Sequence, residues 1–327
     1  MKILTLGFYD KFNFGDETYK DTFKTLFPQH EFNFVNQLND KLINETDIVL
    51  LGGGNVLRNQ YIVELKKVKN KKIYAYSVGM ENNCTENLNI FSHIYARDQD
   101  TEQKLINKKI PCTFIPDAAL TLNGNPSNGE KIVKNLFHKE NLDLYSKVIV
   151  IIINSYMAGL SSDCLARDAF NFIKFSYDLA KTIDETPASF IFIPFGINQP
   201  HDDRTTNSWV ASKCKFWKKN YIMFNQQNYQ DVLDIISYSD LVISSRLHSS
   251  IFSYVTGTHF IDITHHSKNE LFVKMIQKNQ NSISYWNFNN LTLKEKINEL
   301  LILPKHNEFL KFQTLIKEKT NEIYFNK

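Results

Sequence analysis

At 327 residues, 43% hydrophobic and 22% charged, the chain can bury two cores of ordinary domain size, and its composition excludes a disordered or fibrous protein. The formal net charge of +3 is small for this length, and lysines and glutamates are scattered without forming a basic stripe, which argues against nucleic acid as the main partner. Cys84, Cys112, Cys164 and Cys214 lie far apart with no C-x-x-C pair, so neither a zinc site nor a disulfide framework is expected, and a reducing cytosol is the default compartment.

The amino terminus, Met1 to Gly7, holds too few apolar residues before Asp10 and Lys11 for a secretory signal core and reads as a first strand. No segment approaches a bilayer span; the longest apolar run, Val148 to Ile153, suits a central strand. In the first half the predicted strands are 2–8, 31–35, 47–51, 72–77, 94–97 and 112–115. A first helix over 17–27 carries Tyr19, Phe23, Leu26 and Phe27 on one face, with Asp16 as its N-cap. The stretch 123–129 is the most turn-rich in the chain and marks a linker. A second alternation follows, with strands at 147–153, 189–195, 220–224, 241–244 and 259–263, and helices at 164–185, 229–238 and 269–278. The expected fold class is α/β: two doubly wound Rossmann-like domains, 1–125 and 130–304, with strand carboxyl ends facing a cleft. Residues 305–327 are expected to hold a last helix that packs back on the first domain.

In such folds ligands meet the residues just past each strand. Asn13-Phe14-Gly15-Asp16-Glu17 follows the first strand; Gly15 permits close backbone approach, and Asp16 is either a cap alone or a cap that also faces the cleft. Gly52-Gly53-Gly54-Asn55 follows the third strand. Three glycines either form a tight turn or leave backbone N–H groups able to approach a ligand oxygen, and the pattern is neither a dinucleotide fingerprint nor a Walker loop. Arg97-Asp98 and Pro116-Asp117 each end a strand, an Arg-Asp pair being ordinarily a local ion pair or a cap. In the second half, His201, Asp202 and Asp203 follow a strand and read as a polar loop that positions substrate hydroxyls, ahead of a divalent-metal site, because adjacent residues rarely point at one ion.

Ser244-Ser245-Arg246-Leu247-His248 joins a short buried strand to a helix that the spacing of Leu247, Ile251, Tyr254 and Val255 carries to Gly257. Ser244 or Ser245 can cap that helix. Arg246 and His248 place positive charge where the backbone dipole disfavours it, so an anionic ligand or a neighbouring carboxylate must relieve it.

These stretches, in this order, resemble the polysaccharide pyruvyltransferase family: Asn13, Gly15 and Asp16; Gly52 to Gly54; Arg97 and Asp98; Asp117; Asp202 and Asp203; Arg246, Leu247 and His248; and Lys268. The resemblance implies a fold like that of the two-domain glycosyltransferases of the B type. It also implies transfer of the pyruvyl group of phosphoenolpyruvate to two hydroxyls of a sugar in a glycan, giving a cyclic ketal. On that basis His248 is expected to be the general acid, Arg246 to hold the donor's anionic groups with Lys268 assisting, and Asp16 to be a general base or acceptor ligand from the facing domain. Asn55, Leu247, Ser244 and Ser245 complete the expected substrate-binding set; no cofactor and no metal are expected. Two positions depart from the family pattern: Asn154 stands where members often carry an arginine, and His265 replaces a tyrosine ahead of Lys268, which makes it a second candidate for proton transfer. The competing readings are a nucleotide-sugar glycosyltransferase and a non-catalytic glycan-binding relative. With a lipid-linked acceptor, the chain would sit at the periphery of a membrane.

Overall fold

Runs of β-branched and leucine residues such as Ile48 to Leu51 and Val148 to Ile152 are buried along their whole length, as strands covered on both faces by helices must be. A computed structural model describes residues 1–158, 165–198, 201–225 and 228–325, and divides the chain into two units, Met1–Leu122 with Leu310–Lys327, and Asn123–Phe309.

The first unit runs β1 (Lys2–Leu6), α1 (Phe14–Leu26), β2 (Glu31–Val35), α2 (Asp40–Asn44), β3 (Ile48–Leu57), α3 (Asn59–Leu65), β4 (Ile73–Met80), β5 (His93–Ala96), α4 (Gln99–Asn107) and β6 (Cys112–Phe114). All its strands pair parallel in the order β2-β1-β3-β4-β5-β6. Leu4, Leu6, Val49, Leu51, Ile62, Ala75 and Ile94 form the centre of its core.

The second unit runs α5 (Pro126–Lys139), β7 (Val148–Ile152), α6 (Leu165–Glu185), β8 (Ser189–Phe192), a short antiparallel pair β9 (Ile197–Asn198) and β10 (His201–Asp202), α7 (Asp203–Ala211), β11 (Asn220–Ile222), α8 (Tyr229–Tyr238), β12 (Leu241–Ser244), α9 (Leu247–Val255), β13 (His259–Thr264), α10 (Ser267–Met275), β14 (Ser282–Ser284) and α11 (Asn290–Leu301). Its main sheet is again parallel, ordered β11-β8-β7-β12-β13-β14. The last helix, α12 (Leu310–Asn321), belongs to the first unit. Thr320 Oγ1 meets the Tyr76 hydroxyl at 2.8 Å, Gln313 Nε2 donates to Leu122 O at 3.1 Å, and Phe325 packs on Phe27 and Tyr74.

Strands 31–35 and 241–244 and helix 229–238 fall where the sequence places them. Three features differ. Helix α1 starts at Phe14, capped by Asn13, whose side chain accepts from Gly15 N at 3.2 Å; Asp16 therefore lies inside the first turn and is not the cap. The stretch 123–129 begins at the boundary between the units, and its second part is a helix start: Asn125 accepts from Asn128 N, and Pro126 occupies the first helical position, where its missing N–H costs nothing. Strand β3 continues through its three glycines to Leu57. Cys164, at the expected start of the long helix, lies outside the described residues.

Candidate functional site

In the second unit, β12 delivers the chain to α9 at Ser244, and Arg246 occupies the N-cap position with extended backbone and no side-chain cap. Neither serine caps the helix as expected. Ser244 Oγ accepts from Arg246 N at 2.9 Å and Ser245 Oγ accepts from Asn154 N at 2.8 Å, because both hydroxyls are turned back into the junction they stabilise.

The charge of Arg246 is met by Asp203. Nε donates to Oδ2 at 3.0 Å and Nη2 to Oδ1 at 2.5 Å, while the same carboxylate accepts from Ser155 N, Phe195 N and Gly196 N at 2.9, 3.1 and 3.0 Å. Asp203 is 0% exposed, so it orients the guanidinium from behind and cannot itself touch a substrate hydroxyl. A guanidinium has five N–H groups, and this pair engages Nε and one hydrogen of Nη2. The Arg246 side chain is 12% exposed.

Asp202 is occupied differently: it caps α7 and is bound two-pronged by Arg204, at 2.9 and 2.6 Å, which holds its carboxyl below the usual range. The two adjacent aspartates thus bind the protein's own backbone and arginines. The His201 side chain lies outside the described residues.

His248 is half-buried in the first turn of α9. The neighbouring strand ends in Thr264, followed by half-buried His265 and His266 and by exposed Lys268 in the first turn of α10. His265 lies tilted over Trp286, with ring centroids 5.7 Å apart, and His266 meets the Tyr156 ring edge-on at 5.8 Å. Burial, reinforced by Lys268, His265 and Arg246, pushes the His266 imidazole down to about 4. The N-termini of α9 and α10, with Arg246, His248, His265, His266 and Lys268, therefore lie past the ends of two paired strands of one unit. The folded chain holds His266 neutral, whereas the unfolded chain protonates it near 6.5, so its contribution to stability is complete above that value and is lost as the pH falls toward 4. His266→Gln is expected to flatten the fall of the unfolding midpoint between about pH 6.5 and pH 4.5, measured against the wild type.

One bracing residue escaped the sequence reading. Asp262, buried in β13, accepts from Ser250 Oγ at 3.1 Å, Asn269 Nδ2 at 2.7 Å and Thr264 Oγ1 at 2.8 Å, and so ties the first turns of α9 and α10 together. Burial raises its carboxyl pKa. A lone aspartate inside the apolar run Phe260-Ile261-Asp262-Ile263 was the available signal. Asn154, 2% exposed, uses its Oδ1 to accept from Tyr156 N at 2.9 Å and acts as a turn residue.

In the first unit, Arg97 pairs with Asp117, at 3.1 Å, and not with Asp98, which caps α4 by accepting from Thr101 N at 2.7 Å. Tyr19 closes the group: its hydroxyl donates to Asp117 Oδ2 at 2.9 Å and accepts from Arg97 Nη1 at 3.2 Å. Ser77, in the left-handed region with φ 57°, accepts from Ala118 N at 2.9 Å. Arg97 and Asp117 are both buried, so the structure gives them to an internal network and not to a ligand surface.

The glycine run is also covered. Gly53 has φ 72°, and a Cβ there would lie 2.2 Å from the Tyr19 ring; at Gly54 it would lie 2.6 Å from Asp16 Oδ1. Of the two readings of this run, a tight turn or an open backbone, neither describes it: the strand continues, and the space beside Gly53 and Gly54 is filled by side chains of α1, with Asp16, 9% exposed, against Gly54, and half-buried Asn55 after it. Gly53→Ala is expected to destabilise the first unit by at least about 2 kcal/mol in urea unfolding, since it combines a positive φ with overpacking.

Two six-stranded parallel sheets, each with helices on its faces, make an α/β protein whose fold is of the glycosyltransferase B type. The UDP-GlcNAc 2-epimerase of Methanocaldococcus jannaschii has the same fold, with TM-score 0.61 and 13% identity over 98% of this chain and 100% of that one. The Neisseria meningitidis epimerase, bound to UDP-GlcNAc, matches with TM-score 0.54 and 12% identity over 98% of each chain. A glycosyltransferase from Rickettsia africae matches with TM-score 0.52 and 15% identity over 98% of this chain and 92% of that one. At these identities the likeness is one of fold alone, and no curated protein matches the sequence. The model of the polysaccharide pyruvyl transferase family matches residues 5–267, and the chain belongs to that family.

Proposed function

We propose that the protein transfers the pyruvyl group of phosphoenolpyruvate to two hydroxyls of a glycan sugar, closing a cyclic ketal and releasing phosphate. Beside family membership, the observation that carries this reading is Arg246, oriented by a fully buried Asp203 at the N-terminus of α9, within a group that includes His248, His266 and Lys268. Phosphoenolpyruvate brings a carboxylate and a phosphate, and the guanidinium edge and helix N-terminus suit both. His248 delivers a proton to the methylene carbon, and the adjacent carbon becomes open to attack by a sugar oxygen. The carbon–oxygen bond to phosphate then breaks, and the second sugar oxygen closes the ring as both hydroxyl protons pass to base. Substrates supply every other atom, so the scheme uses no cofactor.

Thermal unfolding with phosphoenolpyruvate, a panel of nucleotide sugars, and inorganic phosphate tests the donor. At a hundred times its Kd the donor should stabilise the folded state by roughly 2.7 kcal/mol. A shift with phosphoenolpyruvate that disappears in Arg246→Ala supports the reading. A shift with a nucleotide sugar alone makes the protein a glycosyltransferase, and no shift with any ligand favours a non-catalytic glycan-binding relative. Arg246→Lys is expected to raise the apparent KM for phosphoenolpyruvate at least about tenfold, because an ammonium cannot bind Asp203 and an anion along two planar edges at once.

A further inference from the structure

Far from the Arg246 group in sequence, the second unit carries a surface that its fold does not need. The segment Ser212 to Lys219 holds four lysines, two adjacent aromatic residues and no acidic residue. Lys219 is structural: buried, it donates to Ile183 O and Thr186 O at 2.7 Å each, closing the carboxyl end of α6. Phe216 and Trp217 are 62% exposed each, and Lys215 and Lys218 flank them in solvent. Lys213 lies over both the Trp209 ring, at 4.0 Å, and the Tyr177 ring, at 5.5 Å, and so joins this segment to exposed aromatics of α7 and α6.

Helix α6 extends the surface. Phe172, Phe175, Leu179 and Ile183 face the core, yet Phe170, Ile173 and Tyr177 form a second apolar stripe that is exposed, Phe170 to 69%. A helix with one core face does not require the other. Trp217 lines two grooves of about 510 and 410 Å³, the first with Tyr145, Pro187 and Phe216 and the second with Tyr221 and Phe224. Of the acids that line these grooves, Asp184 accepts from Lys215 N and Phe216 N of the segment itself, Glu185 pairs with Lys294 at 2.9 Å, and Asp143 and Glu140 complete the set.

We propose that this face docks on a bilayer bearing anionic lipid headgroups, with Phe216 and Trp217 seated at the headgroup boundary and Lys213, Lys215 and Lys218 on the phosphates. Aromatic residues interleaved with lysines have the chemistry of an interfacial membrane anchor: amphipathic rings enter the boundary layer while ammonium groups meet negative charge. Cores of protein–protein interfaces share the aromatics but are depleted in lysine, which separates this face from a self-association patch. No helix among the described residues is long and apolar enough to cross a membrane, so the attachment is peripheral. The inference rests on the second unit alone and is independent of the donor assignment.

The 327-residue chain is to be sedimented with vesicles of phosphatidylcholine and of phosphatidylcholine mixed with phosphatidylglycerol. Binding is expected on the mixed vesicles only. It should weaken with added salt, and drop at least about tenfold in both Phe216→Ser/Trp217→Ser and Lys215→Glu/Lys218→Glu, whose unfolding midpoints should match the wild type. Absence of binding to anionic vesicles, or undiminished binding by both variants, overturns the proposal. So does a wild-type dimer in solution that the same substitutions convert to monomer.

Discussion

Asp203→Ala is expected to destabilise the second unit by about 3–5 kcal/mol and to abolish stabilisation by phosphoenolpyruvate. The carboxylate accepts five hydrogen bonds, two from Arg246 and three from the backbone N–H groups of Ser155, Phe195 and Gly196. Its removal leaves three buried donors without a partner and a guanidinium, 12% exposed, without its counter-charge, and each loss carries a desolvation penalty with nothing in return. Asp202→Ala is the control: that neighbour caps α7 and binds an exposed arginine, so its loss should cost about 1 kcal/mol. Urea unfolding of the two variants measures the contrast. A cost below about 1 kcal/mol for Asp203→Ala would mean that the pair is not what orients Arg246.

The second large effect concerns the proton. His248→Ala and His248→Gln are each expected to lower turnover by about 10²–10⁴-fold, the usual contribution of a positioned general acid, with little change in the apparent KM for phosphoenolpyruvate. Arg246→Lys should act chiefly on that KM. The division between the two residues is the informative result, because a merely structural role for either would move stability and both kinetic constants together. Near-normal turnover in both His248 variants would transfer the acid role, with His265, whose pKa burial lowers, as the next residue to replace.

Much of this was legible in the sequence. Period-two and period-3.6 patterns locate most of the strands and helices of both sheets because their residues are dominated by core burial, and the positive charge of Arg246 at a helix start, the N-cap position in the fold, demands a carboxylate or an anion and meets Asp203. The partners were not legible. Asp203 is separated from Arg246 by 43 residues and Asp117 from Arg97 by 20, and nothing in a linear pattern tells an aspartate that braces from one that binds. The glycines of β3 show the same gap: the positive φ of Gly53 and Gly54 favours glycine, but whether the space above them holds a ligand or side chains such as Tyr19 is decided by α1. Helix α5 was hidden because its capping residues, Asn125 and Pro126, are also turn residues. The short strand β14, three residues long, is too brief for any period to show.

The central claim is ketal formation from phosphoenolpyruvate, and carbon-13 at the donor's central carbon follows it directly. The protein is to be incubated with the labelled donor and a panel of hexose- and hexosamine-terminated glycans, and the products read by nuclear magnetic resonance. The account predicts that label appears at a quaternary carbon bonded to two sugar oxygens, with one phosphate released per ketal, and that Arg246→Ala prevents both. Label that stays in phosphoenolpyruvate while a nucleotide sugar added to the same mixture is consumed would contradict it.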